Sequence, residues 1–224
     1  MTKRVFADGE LRVLPPWSER AEPLLKRAFD MLLATIGLGL SSPVWVVVAL
    51  ATKLEDGGPV FYRQDRWGQR GRRIRVYKFR TMIPDSNSGG GTVQATEDDP
   101  RITQIGRFLR ATALDELPQL LNILKGEMSF VGPRALPINE RQVNEDSTEV
   151  PDEQIAGFDA RFRVKPGLTG IAQIYAPRDI PRRHKFKYDL LYVRRRSFWL
   201  DLKLVALSFW ITFRGKWEHR GRKF

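Results

Sequence analysis

The chain of 224 residues is predicted to be α+β and mainly helical, with one long apolar membrane helix near the N-terminus joined to a compact domain that carries a small β-hairpin or sheet. Three features predict this. Residues 31–51 contain no charged side chain, and a run of that length is enough for a helix to cross the hydrocarbon core of a bilayer. Residues 60–67 and 74–79 are rich in β-branched and aromatic side chains and flank the turn-forming Gly68-Gln69-Arg70-Gly71, as in a hairpin. Downstream, apolar residues recur at helical spacing. The chain divides accordingly into a tail over residues 1–22, a membrane helix over 23–54 and a membrane-associated domain over 55–224.

The apolar run begins too far into the chain for a signal peptide, follows a mixed-charge segment, and lacks a small-residue cleavage pattern. Ser41-Ser42-Pro43 lies in its middle. Proline removes one helix hydrogen bond and crowds the preceding turn, and serine hydroxyls can satisfy the carbonyls so released. A helix broken at Ser42 and Pro43 could dip into one leaflet and return, whereas an unbroken one would span. Lys26 and Arg27 precede the run; Lys53, Arg63, Arg66, Arg70, Arg72, Arg73, Arg75, Lys78 and Arg80 follow it. The positive-inside bias therefore puts the C-terminal side in the cytoplasm, but for the short tail it does not choose between the two topologies.

Beyond the hairpin, residues 84–100 read as a loop, with Gly89-Gly90-Gly91 and several acids. Ile102, Ile105, Phe108 and Leu109 fall at helical spacing and predict an amphipathic helix. Leu120, Leu121, Ile123 and Leu124 predict another that ends at Gly126. Pro118 is best tolerated in a first turn, which places Asp115 and Glu116 at or just before that helix's N-terminus, where free N–H groups favour a phosphate. Residues 139–159 read as a loop or solvated helix, and 171–175 as a short strand. Residues 184–196 and 198–213 read as helices; in the second, Asp201 and Lys203 interrupt an apolar sequence, which suits an interfacial helix better than a second span.

A formal charge of +12 calls for an anionic partner, and the absence of cysteine excludes disulfides and thiolate metal sites. His184 and His219 are isolated among basic residues, and there is no Ser-His-Asp pattern, P-loop or zinc spacing. The chemistry concentrates between Thr112 and Arg134. Asp115 and Glu116 are neighbouring carboxylates able to hold a divalent metal against a diphosphate while leaving an oxygen free to attack phosphorus. Mg²⁺ suits such a set, with Mn²⁺ as a substitute. Arg134 follows Gly132-Pro133 and offers a planar donor fork for phosphate oxygens. Lys78 and Arg80 alternate with Tyr77 and Phe79, so a strand would present both charges on one face.

The run Lys78-Phe79-Arg80-Thr81-Met82, then Leu114-Asp115-Glu116-Leu117-Pro118-Gln119-Leu120, residues 122–134 ending in Gly132-Pro133-Arg134, and Lys165-Pro166-Gly167-Leu168-Thr169-Gly170 resembles, in that order, the small monotopic phosphoglycosyl transferases among the bacterial sugar transferases. The resemblance extends over about residues 26–213. It implies transfer of a sugar 1-phosphate from a UDP-sugar to polyprenol (undecaprenyl) phosphate, with release of UMP, at the cytoplasmic face of the bacterial inner membrane. In such enzymes the first acid of the dyad, here Asp115, is the nucleophile that carries the phosphosugar, and Glu116 positions the metal or assists the second nucleophile. The resemblance also implies that Ser42-Pro43 makes the membrane helix re-entrant. Its partners would be the UDP-sugar, the polyprenol phosphate and an anionic phospholipid membrane rather than nucleic acid; a homo-oligomer is left open.

Arg178 lies where the family often has Asn-Gly-Arg and is a further candidate for anion binding, although here the sequence is Tyr175-Ala176-Pro177-Arg178. Ala135 replaces a common proline and Ile171 a common tryptophan, so the identity of the sugar is not legible. Two other readings fit parts of the chain. A membrane-tethered module that grips nucleic acid or lipid explains the charge but not the dyad. A UDP-sugar hydrolase would use the same dyad with water as the acceptor.

Overall fold

The computed structural model describes residues 4–7, 10–13, 23–83, 99–138, 142–143, 149–150, 152–177, 180–214 and 217. Helix α1 (Leu24–Asp56) runs unbroken for 33 residues, about 50 Å at 1.5 Å per residue. Pro43 lies inside it. Its missing N–H leaves the Gly39 carbonyl without a donor, and the Ser42 hydroxyl donates to that oxygen at 2.8 Å. Ser41 Oγ lies 3.5 Å from the Leu38 carbonyl and accepts from Trp45 Nε1 at 3.0 Å. The break expected at Ser42-Pro43 is therefore not an unwinding, because a side chain replaces the lost backbone bond and the helix continues through the proline.

The two faces of α1 differ in an unusual sense. Asp30, Ala34, Ser41 and Thr52 are buried against the domain, and Gly37 meets Leu120, so most of the inner face is small or polar. Leu25, Met31, Leu32, Ile36, Leu40, Val46, Val47, Leu50 and Leu54 are exposed. With this face exposed, α1 is long and apolar enough to cross a membrane.

Strands β1 (Arg4–Ala7) and β2 (Glu10–Val13) pair antiparallel within what the sequence suggested was only a tail. Strands β3 (Phe61–Trp67) and β4 (Arg73–Phe79) form the predicted hairpin, with Tyr62 opposite Lys78. Helix α2 (Gln104–Thr112) starts on a Thr103 side-chain cap, and Glu55 of α1 accepts from its first N–H at 2.7 Å. Helix α3 (Gln119–Lys125) ends at Gly126, as its periodicity predicted.

In the stretch expected as a loop or solvated helix (139–159), the described residues form β6 (Gln142–Val143), which pairs with β7 (Glu149–Val150), and the start of α4 (Phe158–Arg161). Residues 171–175, expected as a strand, are instead α5 (Ile171–Tyr175), which turns Ile171 and Ile174 into the core together. Their i, i+3 spacing is helical, and five residues are too few for periodicity to separate the two states. Helices α6 (Arg182–Arg195) and α7 (Phe198–Phe213) agree with expectation.

The main core joins Ala34 of α1 to Leu120 and Ile123 of α3, Tyr192 of α6, and Leu204 and Ile211 of α7. Val131, from β5 (Ser129–Val131), is buried within it. A second cluster unites Trp67, Leu136, Phe158, Phe162 and Phe186, and a third packs Val48 against Phe79 and Leu109. β5 pairs in parallel with β8 (Gly167–Thr169), and their approach is closer than any side chain permits: a Cβ on Gly167 would lie 2.0 Å from the Gly132 nitrogen. A Cβ on Gly132 would lie 2.4 Å from the Lys165 carbonyl, and one on Gly170 2.3 Å from that of Gly132.

Gly167→Ala must push these strands apart and should destabilise the fold by about 3 kcal/mol, or roughly 6–12 °C in melting temperature for a chain of this size. Thermal melting in detergent checks this, and an unchanged melting temperature would contradict the close packing.

Candidate active site

Helix α2 ends at Ala113, a non-glycine residue in the left-handed region (φ 55°, ψ 20°), a conformation that costs about 1 kcal/mol and turns the chain sharply. The turn delivers Leu114-Asp115-Glu116 as a single 3-10 turn, after which Leu117 and Pro118 keep helical dihedrals into α3. The acid pair thus precedes the helix as Pro118 predicted. Asp115 is buried at 8% exposure, beneath the end of β4.

Lys78 reaches across from β4. Its Nζ lies 2.5 Å from Glu116 Oε1 and 3.3 Å from Asp115 Oδ2. Arg134 approaches from the other side, with Nη2 3.0 Å from Glu116 Oε1, and its side chain remains half exposed. Two carboxylates and two cations therefore meet in one place, with Arg134 at the solvent edge. Burial raises the Asp115 carboxyl above its ordinary pKa, opposed by Lys78 and reinforced by the charge of Glu116. Burial acts on Glu116 in the same sense, but Lys78 and Arg134 outweigh it and hold that carboxyl below its ordinary value. Asp115 is the member of the pair that environment makes reluctant to ionise, and Glu116 is the fixed anion.

The arginine loop is braced from both sides. Arg161 Nη2 donates to the Arg134 carbonyl at 2.7 Å, its Nε bonds Asp189 Oδ2 at 2.7 Å, and its guanidinium lies 4.4 Å from the Phe186 ring centre. Arg66 Nη1 donates to the Ala135 carbonyl at 2.8 Å. Gly132 N–H bonds the Thr169 carbonyl and Gly167 N–H the Pro133 carbonyl, both at 2.9 Å. The Gly132-Pro133-Arg134 and Lys165–Gly170 motifs are therefore one structural unit that aims Arg134.

Of the sequence-predicted residues, Asp115, Glu116, Lys78 and Arg134 come together. Arg80 does not join them. It lies just past the last residue of β4, is buried, and spends its donors on both carboxylate oxygens of Asp56, on the Pro59 carbonyl at 2.6 Å and on the Met82 carbonyl at 3.0 Å. The alternation that put it on the Lys78 face stops where the strand stops. Arg178 lies outside the described residues. Ser42 and Pro43 sit in α1, apart from the acid pair along the chain and in a different element. Sequence reasoning missed Arg161 and Asp189, which are 28 residues apart and carry no local signal, and it counted Arg66 only as a basic residue.

Metal ligands in sets of three or more His, Cys, Asp or Glu are absent among the described residues. The donor set still fits a hard divalent cation. Asp115, Glu116, Lys78 and Arg134 sum to zero formal charge, so an incoming diphosphate brings uncompensated negative charge, and Mg²⁺ typically uses one or two carboxylates and takes the rest of its oxygens from phosphate and water.

The family described as bacterial sugar transferase matches residues 21–215. The chain is 46% identical over 198 residues to the UDP-glucose:undecaprenyl-phosphate glucose-1-phosphate transferase of Escherichia coli (strain K12), covering 86% of this chain and 41% of that protein. It is 41% identical over 204 residues to the undecaprenyl-phosphate glucose phosphotransferase of Komagataeibacter xylinus, covering 88% of this chain and 36% of that protein. It is also 41% identical over 187 residues to the exopolysaccharide production protein PSS of Rhizobium leguminosarum bv. phaseoli, covering 81% of this chain and 92% of that one. The chain thus spans about two fifths of the first two relatives and nearly all of the third. With the matched region running from just before α1 to just past the end of α7, the chain belongs to the bacterial sugar transferase family.

Proposed function

We propose that this protein transfers a sugar 1-phosphate from a UDP-sugar to polyprenol phosphate and so initiates assembly of a surface glycan. The supporting observation is the buried Asp115-Glu116 pair, bridged by Lys78 and faced by Arg134. The relatives named for UDP-glucose make that the first donor to test.

Asp115 Oδ attacks the β-phosphorus of the donor, the bond to the UMP oxygen breaks, and UMP leaves with the electron pair. The acyl phosphate so formed is a reactive mixed anhydride, which the phosphate oxygen of the lipid attacks, returning the carboxylate. Arg134 pairs with the nucleotide phosphates at the solvent edge. Lys78 keeps the dyad from repelling the incoming anion and helps ionise Asp115. Asp115 and Glu116 would hold Mg²⁺ or Mn²⁺, which when bound neutralises charge on the diphosphate.

The reading extends to topology. Lys26, Arg27 and Asp30 near one end of α1, and Glu55 and Asp56 at the other, all bond to the same domain. A helix tied to one body at both ends favours a re-entrant membrane segment over a span. Exposed Trp199, Phe209, Trp210 and Phe213 on α7 suit a second contact with the headgroup layer. The domain would then lie on the cytoplasmic face of the inner membrane, where lipid phosphate and soluble nucleotide meet.

Purified protein with UDP-glucose and Mg²⁺ should form a covalent phosphosugar adduct by intact mass and release UMP, turning over only when polyprenol phosphate is added; chelator should abolish both. Turnover without lipid would make it a hydrolase. Asp115→Asn should form no adduct. Because the folded pKa of Asp115 is raised, its contribution to stability is complete below the unfolded value and is lost as pH rises through the folded one. At neutral pH the charge opposes folding, so Asp115→Asn should melt no lower than wild type. A fully active Asp115→Asn protein would end the nucleophile assignment.

Lys78 also lowers the Asp115 pKa, so Lys78→Met should move the acidic limb of the kcat profile to higher pH. A limb that stays in place or moves to lower pH contradicts the role given to Lys78. For topology, a cysteine introduced at Thr2 of this cysteine-free chain should be labelled only from the cytoplasmic side. Periplasmic labelling refutes re-entrance but leaves the chemistry standing.

A further inference from the structure

Gln119 is a buried amide for which neither the fold nor the reaction yet accounts. It is 4% exposed, and its Nε2 is enclosed without a hydrogen-bond partner among the described residues. A buried donor left unpaired is costly, and native proteins rarely retain one without use. Its place in the fold indicates the use. The backbone from Leu114 to Lys125 keeps helical dihedrals throughout, so Gln119 lies one turn beyond Asp115 and one turn before Asn122 on a common face.

Both neighbours on that face point to β4. Asp115 meets Lys78, while Asn122 Oδ1 accepts from Tyr77 N–H at 3.3 Å and Asn122 Nδ2 donates to the Arg75 carbonyl at 2.7 Å. The Asn122 amide satisfies the strand backbone, and the carboxylate of Asp115 takes the ammonium of Lys78. Gln119 falls between them on the same face, one turn from the proposed nucleophile, with its buried Nε2 donor unpaired among the described residues.

We propose that Gln119 is a further substrate-contacting residue, whose amide donates a hydrogen bond to an oxygen of the phosphoryl group as that group passes to Asp115. This rests on the phosphosugar transfer proposed above. The Asp115 oxygen to phosphorus bond forms while the bond to UMP breaks. Gln119 transfers no proton, and its donor strengthens its hold as charge shifts onto the phosphoryl oxygens. A neutral amide suits the position because a third cation would compete with Lys78 for the acids, and a carboxylate would repel the phosphate.

The test uses the full chain in detergent or nanodiscs with UDP-glucose and Mg²⁺. Single-turnover adduct formation is followed by intact mass, and melting temperature is measured in parallel. Gln119→Leu and Gln119→Glu both remove the donor while keeping the size of the side chain. Each should slow adduct formation by about 100-fold, the usual effect of losing one donor to a developing oxyanion. KM for UDP-glucose should change less than about threefold, because the hydrogen bond acts mainly in the transition state. Gln119→Leu should melt no lower than wild type, since it removes an unpaired amide. Adduct formation at the wild-type rate in either variant overturns the proposal and leaves the transferase reading intact, as does slowing that tracks a lower melting temperature in both. If the wild type forms no adduct with any UDP-sugar, the transferase reading fails and the role of Gln119 fails with it.

Discussion

The attachment of α1 to the domain is the constraint on which the rest of the structure depends. Arg27 donates to the Ile123 and Leu124 carbonyls at 2.6 and 2.8 Å, closing the end of α3, where free carbonyls would otherwise be buried. Asp30, with no measurable exposure, accepts from the Phe130 N–H of β5 at 3.0 Å. Lys26 bonds Asp201 of α7 at 2.6 Å, and the Tyr192 hydroxyl lies 2.8 Å from the same carboxylate. Burial, with the Asp201 charge beside it, pushes the Tyr192 phenol far above its usual range, so that it remains a donor at any working pH. A buried ion needs such partners, because an unpaired one costs several kcal/mol.

Through these bonds the membrane helix holds the two elements that carry the site. α3 follows the acid pair, and β5 leads into the loop of Arg134. The outer face of α1 is apolar and exposed and its inner face meets backbone groups that must be satisfied, so one helix joins the apolar surface to the elements of the site. This also explains why the inner stripe is small and polar while the outer one is large and apolar, the reverse of a helix on a soluble protein.

The short stretch from Ala113 to Gln119 gathers several local violations of folding preference. Ala113 takes a left-handed conformation, Asp115 is a carboxylate that burial opposes, and Gln119 keeps a donor unpaired among the described residues. Proteins retain such costs where chemistry needs them. Around this stretch the packing is tight: three glycines allow β5 and β8 to touch, and Arg161 and Arg66 hold the carbonyls of Arg134 and Ala135. The rigid surroundings keep the strained segment in place.

The sequence by itself determined whatever depends on neighbours in the chain. The charge-free run of α1, the hairpin around Gly68–Gly71, the stop of α3 at Gly126 and the placing of Asp115-Glu116 before a proline-started helix are all local. The hydroxyl of Ser42 repairing the gap left by Pro43 is local too, since it reaches only three residues back. What only the tertiary structure decided were partners distant in the chain: Lys78 going to the acids while Arg80, two residues on, goes to Asp56, and Arg161 finding Asp189. Asp201, read from sequence as a charge interrupting an apolar helix, proved to be the buried partner of Lys26, 175 residues away. Alternation and periodicity specify which face a residue occupies, but the choice of ion partner follows from where a strand ends and which helix packs over it, and neither is encoded in local spacing.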